Sequence, residues 1–81
     1  MTSEDRQSFI RLLHQKLENG KIMVRRVRQE GMEAVTSAFD KKEFGEDEKY
    51  RREEQIQKLT DQYVEMIEEM GKKKEEELLS V

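Results

Sequence analysis

The 81-residue sequence contains no cysteine, no proline and no tryptophan. Without cysteine there is no disulfide framework and no thiol chemistry, which fits a reducing compartment. Without proline, no residue lacks the backbone N–H that a long helix needs. Aromatic residues make up 6% and apolar residues only 33%. No apolar run approaches the roughly 18 residues of a bilayer-spanning helix. The start, Met1-Thr2-Ser3-Glu4-Asp5, has neither the basic opening nor the apolar stretch of a signal peptide. These absences point to a soluble, cytoplasmic chain with no membrane partner. The length allows one domain and too little interior for an enclosed active site.

What the chain has in abundance is charge, at 43% of residues. The charges are interspersed with regularly spaced apolar positions, as on long solvated helices rather than in a disordered chain. The net charge of −3 hides a division. Residues 1–42 carry nine Lys/Arg against six Asp/Glu, whereas residues 43–81 carry seven against thirteen. Between Lys21 and Arg28 there are four cationic residues and no acid. An anionic partner would meet a basic patch there despite the acidic whole.

The apolar spacing predicts an all-α fold. Ile10, Leu13, Leu17, Gly20, Val24, Val27, Gly31, Ala34 and Ala38 recur at steps of three and four, a heptad seam. Thr2, followed three residues later by Asp5, resembles a capping box. A first helix is expected over about 3–39, a turn over 40–45 and a second helix over about 46–79, within a single hairpin spanning 1–81. In the second helix Ile56, Leu59, Tyr63, Met66 and Met70 form the stripe expected to face the first. Acid-before-base pairs, Asp47–Arg51, Glu48–Arg52, Glu54–Lys58, Glu68–Lys72 and Glu69–Lys73, are expected to add about 0.2–0.5 kcal/mol each on its outer face. The short connection requires the helices to run antiparallel. Gly20 and Gly31 are placed to admit close backbone approach.

One seam does not use all the apolar residues. Phe9 and Met23 lie on one flank, and Met32, Val35 and Phe39 on the other. Such a surface calls for a further helix. Either two copies pair as a homodimer through these residues, or the chain belongs to something larger.

No reaction chemistry is legible, and no cofactor or metal is implied. His14 is the only histidine, and residue 11, where a paired Glu-x-x-His metal motif needs an acid, is arginine. There is no phosphate-cradling glycine loop and no nucleophile–base–acid pattern. Met66 and Met70 read as gap-filling apolar residues, and Lys72–Lys74 as part of an ion-paired outer face. The expectation is a protein that is not an enzyme.

The basic patch is the remaining candidate. With the seam at heptad positions a and d, Arg11, His14, Lys21, Arg25 and Arg28 share one stripe interrupted only by Glu18. Arginine presents a planar fork that grips phosphate bidentately, so Arg25 and Arg28, with Lys21 one turn earlier, are the candidate RNA-binding residues. Double-stranded RNA would be read there through backbone and shape. A coiled-coil oligomerisation or scaffold module is the alternative that these residues leave open.

Four segments carry a family resemblance. Val24-Arg25-Arg26-Val27-Arg28 resembles the Val-Arg-Asn-Val-Arg motif of ribosome recycling factors. Gln57-Lys58-Leu59-Thr60-Asp61 matches their Gln-Lys-Leu-Thr-Asp signature. Thr2-Ser3-Glu4-Asp5-Arg6 and Lys74-Glu75-Glu76-Glu77-Leu78 resemble their helix start and charged tail, in the same order along the chain. The resemblance implies a role in translation termination: binding the large ribosomal subunit after peptide release and, with elongation factor G, splitting the ribosome. It implies a three-helix-bundle domain in which residues aligned with Arg25 and Arg28 contact large-subunit ribosomal RNA. It also implies that this chain corresponds to the second and third helices, without the first helix and an inserted β-rich domain. Arg26 stands where the family has Asn, and Gln29 where it has Arg.

Overall fold

In a computed structural model, which describes residues 2–80, the chain is two long α-helices and a tight turn. Helix α1 runs Ser3–Asp40 and helix α2 runs Glu46–Leu79. They lie side by side as an antiparallel hairpin with principal extents of 60 × 15 × 9 Å. At 1.5 Å per residue, the 38 residues of α1 account for that length.

Local chemistry sets the helix ends. The Asp5 amide donates to Thr2 Oγ1 at 3.1 Å, capping α1 as expected. At the other end the Lys42 amide donates to the Phe39 carbonyl and the Glu43 amide to the Ala38 carbonyl, the two bonds of a Schellman motif. Lys42 takes the left-handed position of that motif, with φ 62°, where glycine is the usual occupant. Phe39 stacks on Phe44 with ring centroids 6.5 Å apart, and Lys49 and Arg52 sit over these two rings. Phe39 therefore closes the turn end rather than extending an open flank. The first turn of α2 carries Glu46, Asp47 and Glu48, which complement the positive end of the helix dipole. Hydrogen bonds from Arg51 and Arg52 hold the Glu48 carboxyl below its ordinary pKa.

The contact between the helices is not where a strict heptad reading puts it. Ile10, Leu13, Leu17, Gly20 and Val24 do face α2, but Val27 is 66% exposed and Ala34 is exposed. Arg28 and Val35 face α2 instead, and Val35, at 8% exposed, is the one buried large apolar side chain among the described residues. A straight α-helix drifts about 20° per heptad against a 3.5-residue repeat. The line Leu13, Gly20, Val27, Ala34 thus walks off the contact within three heptads, and positions one residue later replace it.

In α2 the correction is larger. The face turned to α1 runs through Ile56, Thr60, Val64, Ile67, Gly71 and Leu78. Leu59, Tyr63, Met66 and Met70 are all more than half exposed; at 100° per residue they lie roughly a quarter-turn away from the contact. Thr60 is buried on the seam with its hydroxyl donating to the Ile56 carbonyl at 2.8 Å, so no polar group is left bare. Of the acid-before-base pairs, Glu48–Arg52 forms, at 3.0 Å, while Glu68 reaches across to Lys21 on α1.

Of the four glycines, Gly71 is the one packed most tightly against a side chain of the other helix. A Cβ built there would fall 2.3 Å from Leu17 Cδ1 and 3.1 Å from Leu17 Cγ, so the leucine side chain occupies the space an alanine methyl would need. At Gly20 the nearest atom would be Ile67 Cδ1 at 3.5 Å, an ordinary contact. The two glycines therefore respond oppositely to alanine. Gly20→Ala should raise stability by up to about 1 kcal/mol through helix propensity. Gly71→Ala should lose that gain and more to overpacking, for a net cost of about 1 kcal/mol. Circular dichroism melts of the two variants check the contrast.

The exposed stripe on α2 continues onto α1. Met23 and Val27 join Leu59 and Tyr63 along a shallow apolar groove floored by Val24, Gly31 and Ile56. The accessible surface is 6593 Å², about 1,400 Å² more than the roughly 5,200 Å² of a compact monomer of this mass. Two copies hiding that excess would bury about 2,800 Å² together, within the range of obligate dimers. The 81-residue chain is accordingly expected to pair through this groove, which includes Met23 of the expected flank but not Val35, which the hairpin itself buries. Light scattering should give twice the 9.8 kDa chain mass at micromolar concentration, and Val27→Asp should halve it. A folded monomer that survives dilution would leave the groove to a helix from outside these residues.

Candidate nucleic-acid interface

The basic stripe of α1 runs along one edge of the hairpin and meets the apolar groove at Arg28. Two kinds of position alternate on it. His14, Lys21 and Arg28, spaced by seven, lean towards α2; Arg11, Glu18 and Arg25, also spaced by seven, point away. The inner set is tied across the hairpin. His14 Nε2 lies 3.1 Å from Glu75 Oε1, and Lys21 Nζ lies 3.2 Å from Glu68 Oε1. Seven residues up α1 from His14 to Lys21 correspond to seven residues down α2 from Glu75 to Glu68. A further seven brings Arg28 level with Asp61. There Gln57 stands between them: Arg28 Nε donates to Gln57 Oε1 at 2.7 Å, and Gln57 Nε2 donates to Asp61 Oδ1 at 2.9 Å.

These contacts separate the three candidate residues. Lys21 has a side chain only 19% exposed and an ion-pair partner, so its charge is largely committed to α2. Arg25 is 58% exposed, and its one ion-pair partner among the described residues is Glu18 at 3.9 Å, a loose surface pair that contributes little. Arg28 is held by its Nε alone among the described residues, which leaves both terminal amino groups without a hydrogen-bond partner there. Arg25 and Arg28 share the rim of an open groove with Gln29, Thr60, Val64 and the acids Asp61, Glu65 and Glu68. The arginines hold the α1 side and the carboxylates the α2 side. A phosphodiester would be drawn to the first and repelled by the second, so it would lie along α1 rather than across the hairpin.

Sequence reasoning did not identify Gln57, Asp61 and Glu68 as partners of the stripe. Their positions were legible only once the antiparallel register was known, because α2 was read a quarter-turn out of phase. Among the described residues no group of three or more His, Cys, Asp or Glu is arranged to hold a metal, and no helix is long and apolar enough to cross a membrane.

Comparison with known proteins places this geometry. Residues 1–79 match the family model described as ribosome recycling factor. Ribosome-recycling factor of Micrococcus luteus is 43% identical over 81 residues, covering 100% of this chain and 44% of the relative. That of Natranaerobius thermophilus is 38% identical over 80 residues, covering 99% of this chain and 44% of the relative. That of Corynebacterium efficiens is 40% identical over 81 residues, again with 44% of the relative covered. The chain thus spans less than half the length of the curated relatives it matches. No solved structure gives a significant match. On the extent of the family match and these identities, the chain belongs to the ribosome recycling factor family.

Proposed function

We propose that this chain is a ribosome-docking arm that binds large-subunit ribosomal RNA during post-termination ribosome disassembly, with elongation factor G as its partner factor. The observation that carries the reading is the placement of Arg25 and Arg28. Both line one open polar groove of a stiff hairpin, Arg25 away from the apolar groove and Arg28 at the border between the two. Family membership supports the ribosome as the setting, and a cytoplasmic location is proposed with it. The role is binding rather than catalysis. Arg25 and Arg28 carry the phosphate contacts, and Lys21 contributes positive potential from behind its pair with Glu68.

A scaffold role is the second reading, favoured by the exposed apolar stripe of Leu59, Tyr63, Met66 and Met70. It needs self-association but makes no use of the arginines.

Co-sedimentation with purified large ribosomal subunits across a salt series separates the two. Arg25→Ala/Arg28→Ala should weaken binding by roughly tenfold or more and lower the log–log salt slope by about two, one per phosphate contact. Helix content should not change, since neither substitution removes an apolar contact. Arg51→Ala/Arg52→Ala, at the acidic start of α2, should matter far less. Equal binding by the parent and both variants would sink the assignment of the arginines. No binding by the parent would leave the scaffold reading.

A further inference from the structure

We infer that Gln57 is a positioning residue: it holds the Arg28 guanidinium in a phosphate-ready orientation and keeps it off the neighbouring carboxylate of Asp61. The inference rests on the RNA-docking reading above, and it concerns α2, which that reading leaves without a part in binding.

The antiparallel register puts Arg28 level with Asp61, as it puts His14 level with Glu75 and Lys21 level with Glu68. At the first two rungs the cation meets the carboxylate directly, at 3.1 and 3.2 Å. At the third it does not. Gln57, one turn from Asp61 on α2, accepts from Arg28 Nε at 2.7 Å and donates to Asp61 Oδ1 at 2.9 Å. An amide side chain can do both at once because it carries an acceptor and a donor on one planar group.

Two consequences follow for Arg28. Its Nε is engaged on the α2 side, so the two terminal amino groups, which have no hydrogen-bond partner among the described residues, stay available to take a phosphate with two parallel hydrogen bonds. Its charge is also not neutralised, because the acceptor is an uncharged amide and the nearby carboxylate is already hydrogen-bonded to that amide. A free arginine side chain would have to be ordered on binding, a cost this contact meets in advance. Lys21, paired directly with Glu68, shows what Arg28 would become without the interposed amide.

The test uses the 81-residue chain and purified large ribosomal subunits as the probe. Gln57→Ala should keep the helix, since alanine is the better helix former, yet weaken binding by roughly three- to tenfold. The loss should disappear when Arg28→Ala is already present, because nothing is left to position. Asp61→Asn should recover more affinity in the Gln57→Ala background than in the parent, because it removes the competing carboxylate. In the free protein, nitrogen relaxation of the Arg28 Nε–H should show an ordered side chain in the parent and a mobile or re-paired one in Gln57→Ala. If the parent binds but Gln57→Ala costs the same with and without Arg28, or leaves the Arg28 Nε–H unchanged, the positioning role is wrong while RNA docking stands. If the parent does not bind at all, the docking reading fails and takes this role with it.

Discussion

The hairpin depends on how closely two long helices can approach along a seam that carries few large apolar side chains. Leu17 lies over Gly71, Ile67 over Gly20 and Ile56 over Gly31, so at three places a branched side chain fills the gap left by a missing one on the other helix. Each glycine costs about 1 kcal/mol of helix propensity relative to alanine. In return the backbones come near enough for Val35 and Thr60 to be shielded from water. The same register sets everything beside the seam. It brings Glu75 to His14, Glu68 to Lys21 and Gln57 to Arg28.

Close packing of only two helices divides the remaining surface into two working faces. One is polar, with cations on α1 and carboxylates on α2. The other is apolar, formed by Met23, Val27, Leu59 and Tyr63. The polar edge does not stabilise the hairpin strongly. Its ion pairs are mostly exposed, and such pairs contribute about 1 kcal/mol or less each. What they do is fix where each long side chain points. Arg25 is left extended into solvent and Arg28 is held by one nitrogen, while Lys21 is drawn inward.

The apolar face explains why reading α2 by hydropathy alone misplaces its contact. Leu59, Tyr63, Met66 and Met70 are as a set larger than the seam residues Thr60, Val64, Ile67 and Gly71, and with Ile56 they recur at unbroken steps of three and four. A search for the strongest stripe selects them. Which stripe meets α1 is decided by how closely the backbones pack, and small residues serve that better than large ones. In α1 the error is smaller and has a geometric cause. Heptad spacing and a 3.6-residue turn stay in phase for about two heptads and then part, so Val27 and Ala34 give way to Arg28 and Val35.

By itself the sequence determined the fold class and the family. An uninterrupted alternation of three- and four-residue apolar steps, the absence of proline and a short polar connection leave little but an antiparallel pair of helices. The segments Val24–Arg28 and Gln57–Asp61 identify the lineage. It also marked Arg25 and Arg28 as candidates for an anionic partner, because a run of cations without an intervening acid is visible without knowing any contact. Only the tertiary structure decided that Val35 rather than Val27 is buried, that Gly71 is the most tightly packed glycine and that Gln57 stands between Arg28 and Asp61. These depend on the rotation of each helix about its own axis and on the register between them. A one-dimensional pattern fixes neither, because several stripes at the same spacing are equally periodic and only packing selects among them.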